Sequence, residues 1–276
     1  MRLRLLIWSL LAVSLLCGGI VLWQARQFSK PLPAKVQTDV TLEGLAVGSL
    51  TAGEVRETVR ALAATRNQGP VNAGFRQDAP GFMPEKDGQT INVEATVRAV
   101  LQAPPKAAVS AIMDINKPPV TVEKLRRAPL IGQAATPLLD KGENRVHNIR
   151  LAAQQITNTV VAPGEIFSFN GIIGATTAER GYREAPVLEN GRKSLGMGGG
   201  VCQISSTLYN AVMAGNLTVT ERHPHSKPVD YIAAGKDATT SDDKDFKFRN
   251  NRQGPLIIHV LVTGAAVKAE IWEIAG

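Results

Sequence analysis

The chain has 276 residues, enough for one large or two ordinary domains, with 44% apolar and 5% aromatic residues. Its net charge of +7 is uneven: Arg2, Arg4, Arg26 and Lys30 lie in the first thirty residues with no acid, and outside them 27 basic residues face 24 acidic ones. That near balance, without a basic stripe, argues against nucleic acid as a partner.

Residues 5–23 carry no charge, about the length that crosses a bilayer as a helix. Trp8 and Trp23 flank the run, and Arg2 and Arg4 precede it, which favours a cytoplasmic N-terminus and an extracytoplasmic remainder. Residues 1–30 are therefore expected to anchor the chain in the cell membrane with a single pass. A cleaved signal peptide is the rival, though its apolar region is usually shorter. Residues 27–35 read as a linker. Residues 36–116 then read as a small module in the order β-α-β-α-β: strand-rich 36–47, a helix opening on the capping box Thr51-Ala52-Gly53-Glu54, a strand at 71–75, a helix capped by Asn92, and a strand at 108–115.

Lys117-Pro118-Pro119 breaks the pattern, and 117–128 is expected to be a linker into a second domain over 129–276. The spacing of Ile149, Ala152, Ala153 and Ile156 predicts a helix over 144–158. From Glu165 the chain reads as short strands and glycine-rich turns, with one helix from Ser205 to about Ala214 and two closing strands within 255–274. The expected fold class is α+β.

Within that domain, Gly198-Gly199-Gly200-Val201-Cys202-Gln203 stands out. The other cysteine, Cys17, lies in the apolar run, so Cys202 is expected to be a free thiol. The glycines permit a tight loop, and a helix starting near Ser205 would aim its dipole and free N–H groups at the sulfur, favouring the thiolate. His223 and His225 follow at about twenty residues, then Asp237. Cys202, His225 and Asp237 form the candidate nucleophile, base and orienting carboxylate. This order also occurs in transglutaminase-like folds, an analogy only. The bland alternative stays open: a small buried cysteine under a helix, with the glycines serving a turn. Gly199, Gly200, Gln203 and Arg222 are the candidate substrate-binding residues, Gln203 as an oxyanion donor or a helix cap. A metal set of Cys202, His223, His225 and Asp237 lacks compact ligand spacing, so no metal and no cofactor is expected. His147 and His259 are expected to be packed or solvated, and Asp242, Asp243 and Asp245 to form a solvated loop.

Several stretches resemble the VanW family: Pro163-Gly164-Glu165-Ile166-Phe167-Ser168-Phe169-Asn170, Gly181-Tyr182, the Cys202 motif, Glu221-Arg222 with His225-Ser226, Gly235-Lys236-Asp237-Ala238-Thr239, Asp245-Phe246, and Arg145 with Asn148-Ile149. Leu45-Ala46-Val47-Gly48 and Asp87-Gly88 with Ile91-Asn92 are similar to the peptidoglycan-binding module that often precedes such a domain. The resemblance implies a cell-envelope protein that binds or remodels peptidoglycan or its precursors. It leaves open a thiol enzyme acting on a wall peptide and a non-catalytic scaffold.

Overall fold

The computed structural model describes residues 32–275 apart from 78–79 and 190–191. The expected membrane helix lies outside these residues; among those described, no helix is long and apolar enough to cross a membrane. Two units emerge, one of residues 32–69 with 87–116, the other of 70–86 with 117–275.

In the first unit, β1 (Thr41–Leu42) pairs antiparallel with β2 (Leu45–Ala46) through a turn at Glu43 and Gly44, both at positive φ. Helix α1 (Ala52–Arg66) opens on the expected capping box: Thr51 Oγ1 accepts from the Glu54 amide, and the Glu54 carboxylate accepts from the Thr51 amide. It buries Val55, Val59 and Ala63. The expected strand at 71–75 is only β3 (Gly74–Phe75), paired with β4 (Phe82–Met83), and both belong to the second unit. Phe75 is the cause: its ring stacks on His259 at 4.5 Å, and its amide donates to Asn158 Oδ1 at 2.7 Å. The first unit resumes with β5 (Gly88–Ile91), α2 (Val93–Gln102) capped by Asn92, β6 (Ala108–Val109) parallel to β1, and β7 (Met113–Asn116) antiparallel to β5.

The expected linker 117–128 instead holds a helix, α3 (Val122–Arg127), capped by Thr121 and anchored by buried Leu125. At six residues it is too short to show a periodic face in the sequence. Next come β8 (Leu130–Pro137), α4 (Glu143–Ile156), β9 (Val160–Val161) and β10 (Ile166–Ser168). A short helix, α5 (Phe169–Ile173), leads to the hairpin β11 (Glu184–Glu189) and β12 (Arg192–Met197). Helix α6 (Val201–Ala214) begins earlier than expected, so Cys202 lies within its first turn rather than in the loop before it. The chain closes with β13 (Thr218–Glu221), β14 (Lys247–Arg249), β15 (Leu256–Val262) and β16 (Ala266–Glu273).

The scaffold of this unit is the antiparallel sheet β8-β16-β15-β9. Alternation sends Ile258, Val260, Val267, Ala269 and Ile271 to one face, where α4 and α6 pack. Ile257 and Trp272 point the other way, with Phe75 and Leu125. A second sheet, β10-β14-β13, carries the chain towards the site. Helix α6 is buried on nearly all sides, including the polar residues Gln203, Ser205, Ser206 and Thr207. Its close approach to the sheet depends on Gly132 of β8: a Cβ there would lie 2.2 Å from the Ala211 carbonyl oxygen and 2.8 Å from the Gly215 nitrogen. Gly132→Ala should therefore push α6 away and cost about 1–3 kcal/mol by overpacking. Urea unfolding would report it, and an unchanged midpoint would contradict the close contact.

Candidate active site

The three glycines and α6 set the position of the thiol. Gly198 and Gly200 adopt φ of 76° and 107°, conformations open to glycine and strained for other residues. Gly199 is tied down through its carbonyl oxygen, which accepts from Asn148 Nδ2 at 3.1 Å, and Asn148 is fully buried. A Cβ at Gly200 would lie 2.9 Å from the Ile149 side chain and 3.0 Å from that of Arg145. The loop thus packs directly against α4 and turns into α6 without a side-chain cap. The Val201 and Gln203 amides donate to the carbonyls of Gly198 and Gly200 at 3.1 and 3.0 Å. The Cys202 amide lies between them in the first turn, where helical N–H groups lack intrahelical partners.

The other half of the site arrives on the segment after β13. His225 Nδ1 donates to Asp237 Oδ2 at 2.6 Å, and the His225 amide donates to the same oxygen at 2.6 Å. Arg222 Nη2 donates to Asp237 Oδ1 at 3.1 Å, and its Nε to the Asp237 carbonyl at 2.7 Å. Burial raises the Asp237 carboxyl pKa, but the His225 hydrogen bonds outweigh it and hold the group below its ordinary value.

Two serines of α6 join the halves. Ser205 and Ser206 both donate to the Ala238 carbonyl oxygen, at 2.6 and 3.2 Å, and Ser206 Oγ accepts from the Ala238 amide at 3.0 Å. This places the 237–240 segment over the first turn of α6. The Cys202 sulfur then faces the Thr239 hydroxyl at 3.8 Å, the Thr240 hydroxyl at 3.7 Å and the Thr240 carbonyl at 3.5 Å. The His225 ring lies close enough to act on the thiol, and with Nδ1 serving Asp237 the nitrogen left for the sulfur is Nε2. Burial pushes the thiol up, yet the hydrogen bond and charge of His225 win, and the pKa falls to about 7. For His225, burial favours the neutral ring, but the bonds to Cys202 and Asp237 leave its pKa raised. The two shifts, down for the thiol and up for the imidazole, are those that a thiolate–imidazolium pair requires.

The expected triad residues are therefore neighbours, and Cys202 is a partly exposed free thiol. It opens on a cleft of about 1080 Å³ lined by Gly198, Gly199, Gly200, His225, Tyr231 and Thr240 among others. Gly199, Gly200 and Gln203 all line it, but the amide hydrogens of Gln203 are already engaged. Its Nε2 donates to Thr136 Oγ1 at 3.1 Å and to the Pro137 carbonyl at 2.9 Å, and its Oε1 accepts from Arg145. Arg222 is engaged with Asp237 and Gly235 and lies over the Tyr209 ring at 5.3 Å, so it braces the site rather than facing the cleft.

His223 turns away to Glu221, whose carboxylate also binds Lys247 and the Asp245 amide. His147 bonds the Gly181 carbonyl, and His259 pairs with Glu270. Asp245 departs from the expected solvated loop. It is buried, accepts from Ser168 Oγ at 2.6 Å and from the Asn170 amide at 2.8 Å, and ties the 241–245 loop to α5. Among the described residues, no group of three or more His, Cys, Asp or Glu is placed to hold a metal.

Tyr231 and Arg145 also line the cleft, though residue type alone gives no sign of it. Tyr231 lies close to Cys202: burial raises its pKa, and a thiolate there raises it further. Only the family-like stretch around Arg145 and Asn148 hinted at that part of the wall.

Alkylation should report the pair. With Cys17 replaced by Ser, the iodoacetamide rate at Cys202 should rise through pH about 7 rather than 9. The midpoint should move upward in His225→Ala, because burial then acts on the thiol without an opposing charge. A thiol that labels only after denaturation, or a midpoint near 9 unaffected by His225→Ala, would contradict the pair.

Comparison with known proteins finds relatives of the domain that carries this site. Residues 144–272 match the family model described as VanW like protein. The chain is 41% identical over 138 residues to uncharacterized protein YoaR of Bacillus subtilis (strain 168), covering 50% of this chain and 46% of that protein. It is 32% identical over 115 residues to the Vancomycin B-type resistance protein VanW of Enterococcus faecalis (strain ATCC 700802 / V583), covering 40% of this chain and 42% of that one. The chain thus spans about half the length of the curated relatives it matches. No solved structure matches it significantly. The domain that carries Cys202, His225 and Asp237 is thus similar, over residues 144–272, to the VanW family.

Proposed function

We propose that this is a cell-envelope protein whose VanW-like domain transfers or hydrolyses an acyl or amide group of a wall peptide, with Cys202 as nucleophile. The observation that carries the reading is the run Cys202–His225–Asp237, in which a thiol of pKa about 7 opens on a cleft and its imidazole partner is oriented by a buried carboxylate. The relative named for vancomycin resistance supports the envelope setting. The uncharged run at residues 5–23 supports a membrane tether with the remainder extracytoplasmic. The unit of residues 32–69 and 87–116 is proposed to bind peptidoglycan.

The chemistry proceeds as follows. The Cys202 thiolate attacks the substrate carbonyl carbon, and the carbonyl π electrons move onto oxygen, where the Cys202 amide can donate. The tetrahedral intermediate collapses and expels the leaving amine, which takes the proton from His225 Nε2. A thioester remains on Cys202. Water, or an acceptor amine, then attacks the thioester carbonyl and gives its proton to Nε2. The thiolate leaves, and the imidazolium is restored. Asp237 holds Nδ1–H throughout and keeps Nε2 aimed at the reacting atoms.

The test is incubation of the full chain with peptidoglycan sacculi and soluble muropeptides, followed by mass spectrometry. New muropeptide products are expected, with a hydroxylamine-sensitive adduct on Cys202. Cys202→Ala should abolish both, and His225→Ala should slow turnover by roughly 10²–10⁴-fold. Products that persist in Cys202→Ala, or an unchanged substrate with the wild-type protein, would overturn the reading.

A further inference from the structure

Arg145 stands in the wall of the same cleft and has no part in the proton transfers described above. Its side chain is 13% exposed, its stem packs beside Gly200, and it lies among the residues that line the space in front of Cys202. The guanidinium can donate five hydrogen bonds. Among the described residues, Nη2 donates to Gln203 Oε1 at 3.1 Å, a neutral acceptor, and Nε is buried without an acceptor. The nearest carboxylate oxygen, Asp140 Oδ2, is 3.9 Å from Nε, beyond hydrogen-bond reach, and its side chain is half exposed. The charge is therefore held in place but weakly neutralised.

Its position is built rather than accidental. Gln203 spends its amide hydrogens on Thr136 and Pro137, which fixes Oε1 as the acceptor that holds Nη2. Gln203 immediately follows the nucleophile in α6. Arg145 also acts electrostatically on Tyr231, as does Cys202, so all three share one local field. The remaining charged lining groups outside the Cys202–His225 pair are Asp140, Asp230, Asp242, Asp243 and Lys244, all at the exposed rim. Arg145 is thus the part-buried cation of the cleft, apart from His225.

Building on the proposed thiol chemistry, we infer that Arg145 is a specificity residue that selects substrates bearing a carboxylate beside the acyl group that Cys202 attacks. A planar guanidinium already steadied on one edge receives a carboxylate with little loss of side-chain freedom. The substrate class is a peptide whose acyl-donating residue, or its neighbour, retains a free carboxylate; its amide-capped counterpart would be discriminated against.

The experiment compares acid and amide forms of small alkylating probes on the full chain carrying Cys17→Ser. Iodoacetate is measured against iodoacetamide, and 3-bromopropionate against 3-bromopropionamide for a longer reach. Each acid rate is divided by the amide rate of the same protein, which cancels changes in thiol reactivity. The wild-type quotient should exceed that of N-acetylcysteine. It should fall by about tenfold in Arg145→Gln, as expected for loss of one charge-assisted contact, and be partly retained in Arg145→Lys. A wild-type quotient no higher than that of N-acetylcysteine overturns the inference without using a variant that must fold. A raised quotient that Arg145→Gln leaves unchanged assigns the attraction to the His225 imidazolium and also overturns it. Either result leaves the nucleophile standing, whereas failure of every probe to label Cys202 in the native protein removes the nucleophile and this inference together.

Discussion

The site depends on the buried carboxylate of Asp237. A charge taken out of water is costly unless donors replace the lost hydration. Here one oxygen accepts two N–H groups from His225, and the other accepts from Arg222. Because the same residue contributes both its backbone and its ring, the imidazole is locked in rotation and in tautomer. Nε2 is then the ring nitrogen left for the sulfur. A carboxylate with only solvent for partners would leave the ring free to turn, and the thiol would lose the interaction that offsets its burial.

The sheet and α6 give this arrangement its precision. Gly132 lets the helix lie close to β8, and the Gln203 and Thr207 side chains are tied to Thr136 across that contact. The first turn, with Cys202, is thus fixed to a rigid layer. The segment from 237 to 240 has little regular structure of its own. It is held by Ser205 and Ser206, which satisfy both backbone groups of Ala238. Two residues that would ordinarily weaken a helix interior instead serve as its link to the histidine-bearing loop. Below this, Asp245 and Glu221 bind the backbone of the adjoining turns, so the loop is pinned at both ends.

Much of the scaffold is legible from period and capping chemistry. The helix around Ile149, the closing strands β15 and β16, and the capping box at Thr51 all follow local rules that tertiary packing does not override. The failures are physical as well. Phe75 reads as part of a strand in the small module, but its ring finds a partner in His259, far along the chain, and no local pattern encodes that pairing. The residues at 122–127 form too few turns to show a face. The sequence points to a start of α6 that is too late, because Val201 to Ser205 follow a glycine run without a capping side chain. At the site, the chemistry of cysteine, histidine and aspartate singles out the central three. Gln203 and Arg222 share that polar character, yet their donors are absorbed by structural acceptors, which residue type cannot disclose. Arg145 is concealed for the opposite reason: on a helix an arginine reads as a solvated face, and only the packing against Gly200 turns it into the cleft.

The proposed chemistry requires Cys202 and His225 to exist as a thiolate–imidazolium pair steadied by Asp237. The protonation of His225 itself tests this most directly, through nitrogen-15 NMR of histidine-labelled protein across pH, before and after Cys202 is capped as a methyl disulfide. Before capping, both ring nitrogens should remain protonated above the pH at which an ordinary histidine loses its proton, since the Cys202 and Asp237 interactions raise its pKa. After capping, the thiolate is gone while burial remains, so the His225 pKa should fall, with Nδ1 retaining the proton that faces Asp237. A His225 that titrates as an ordinary imidazole and ignores the capping of Cys202 would contradict the account.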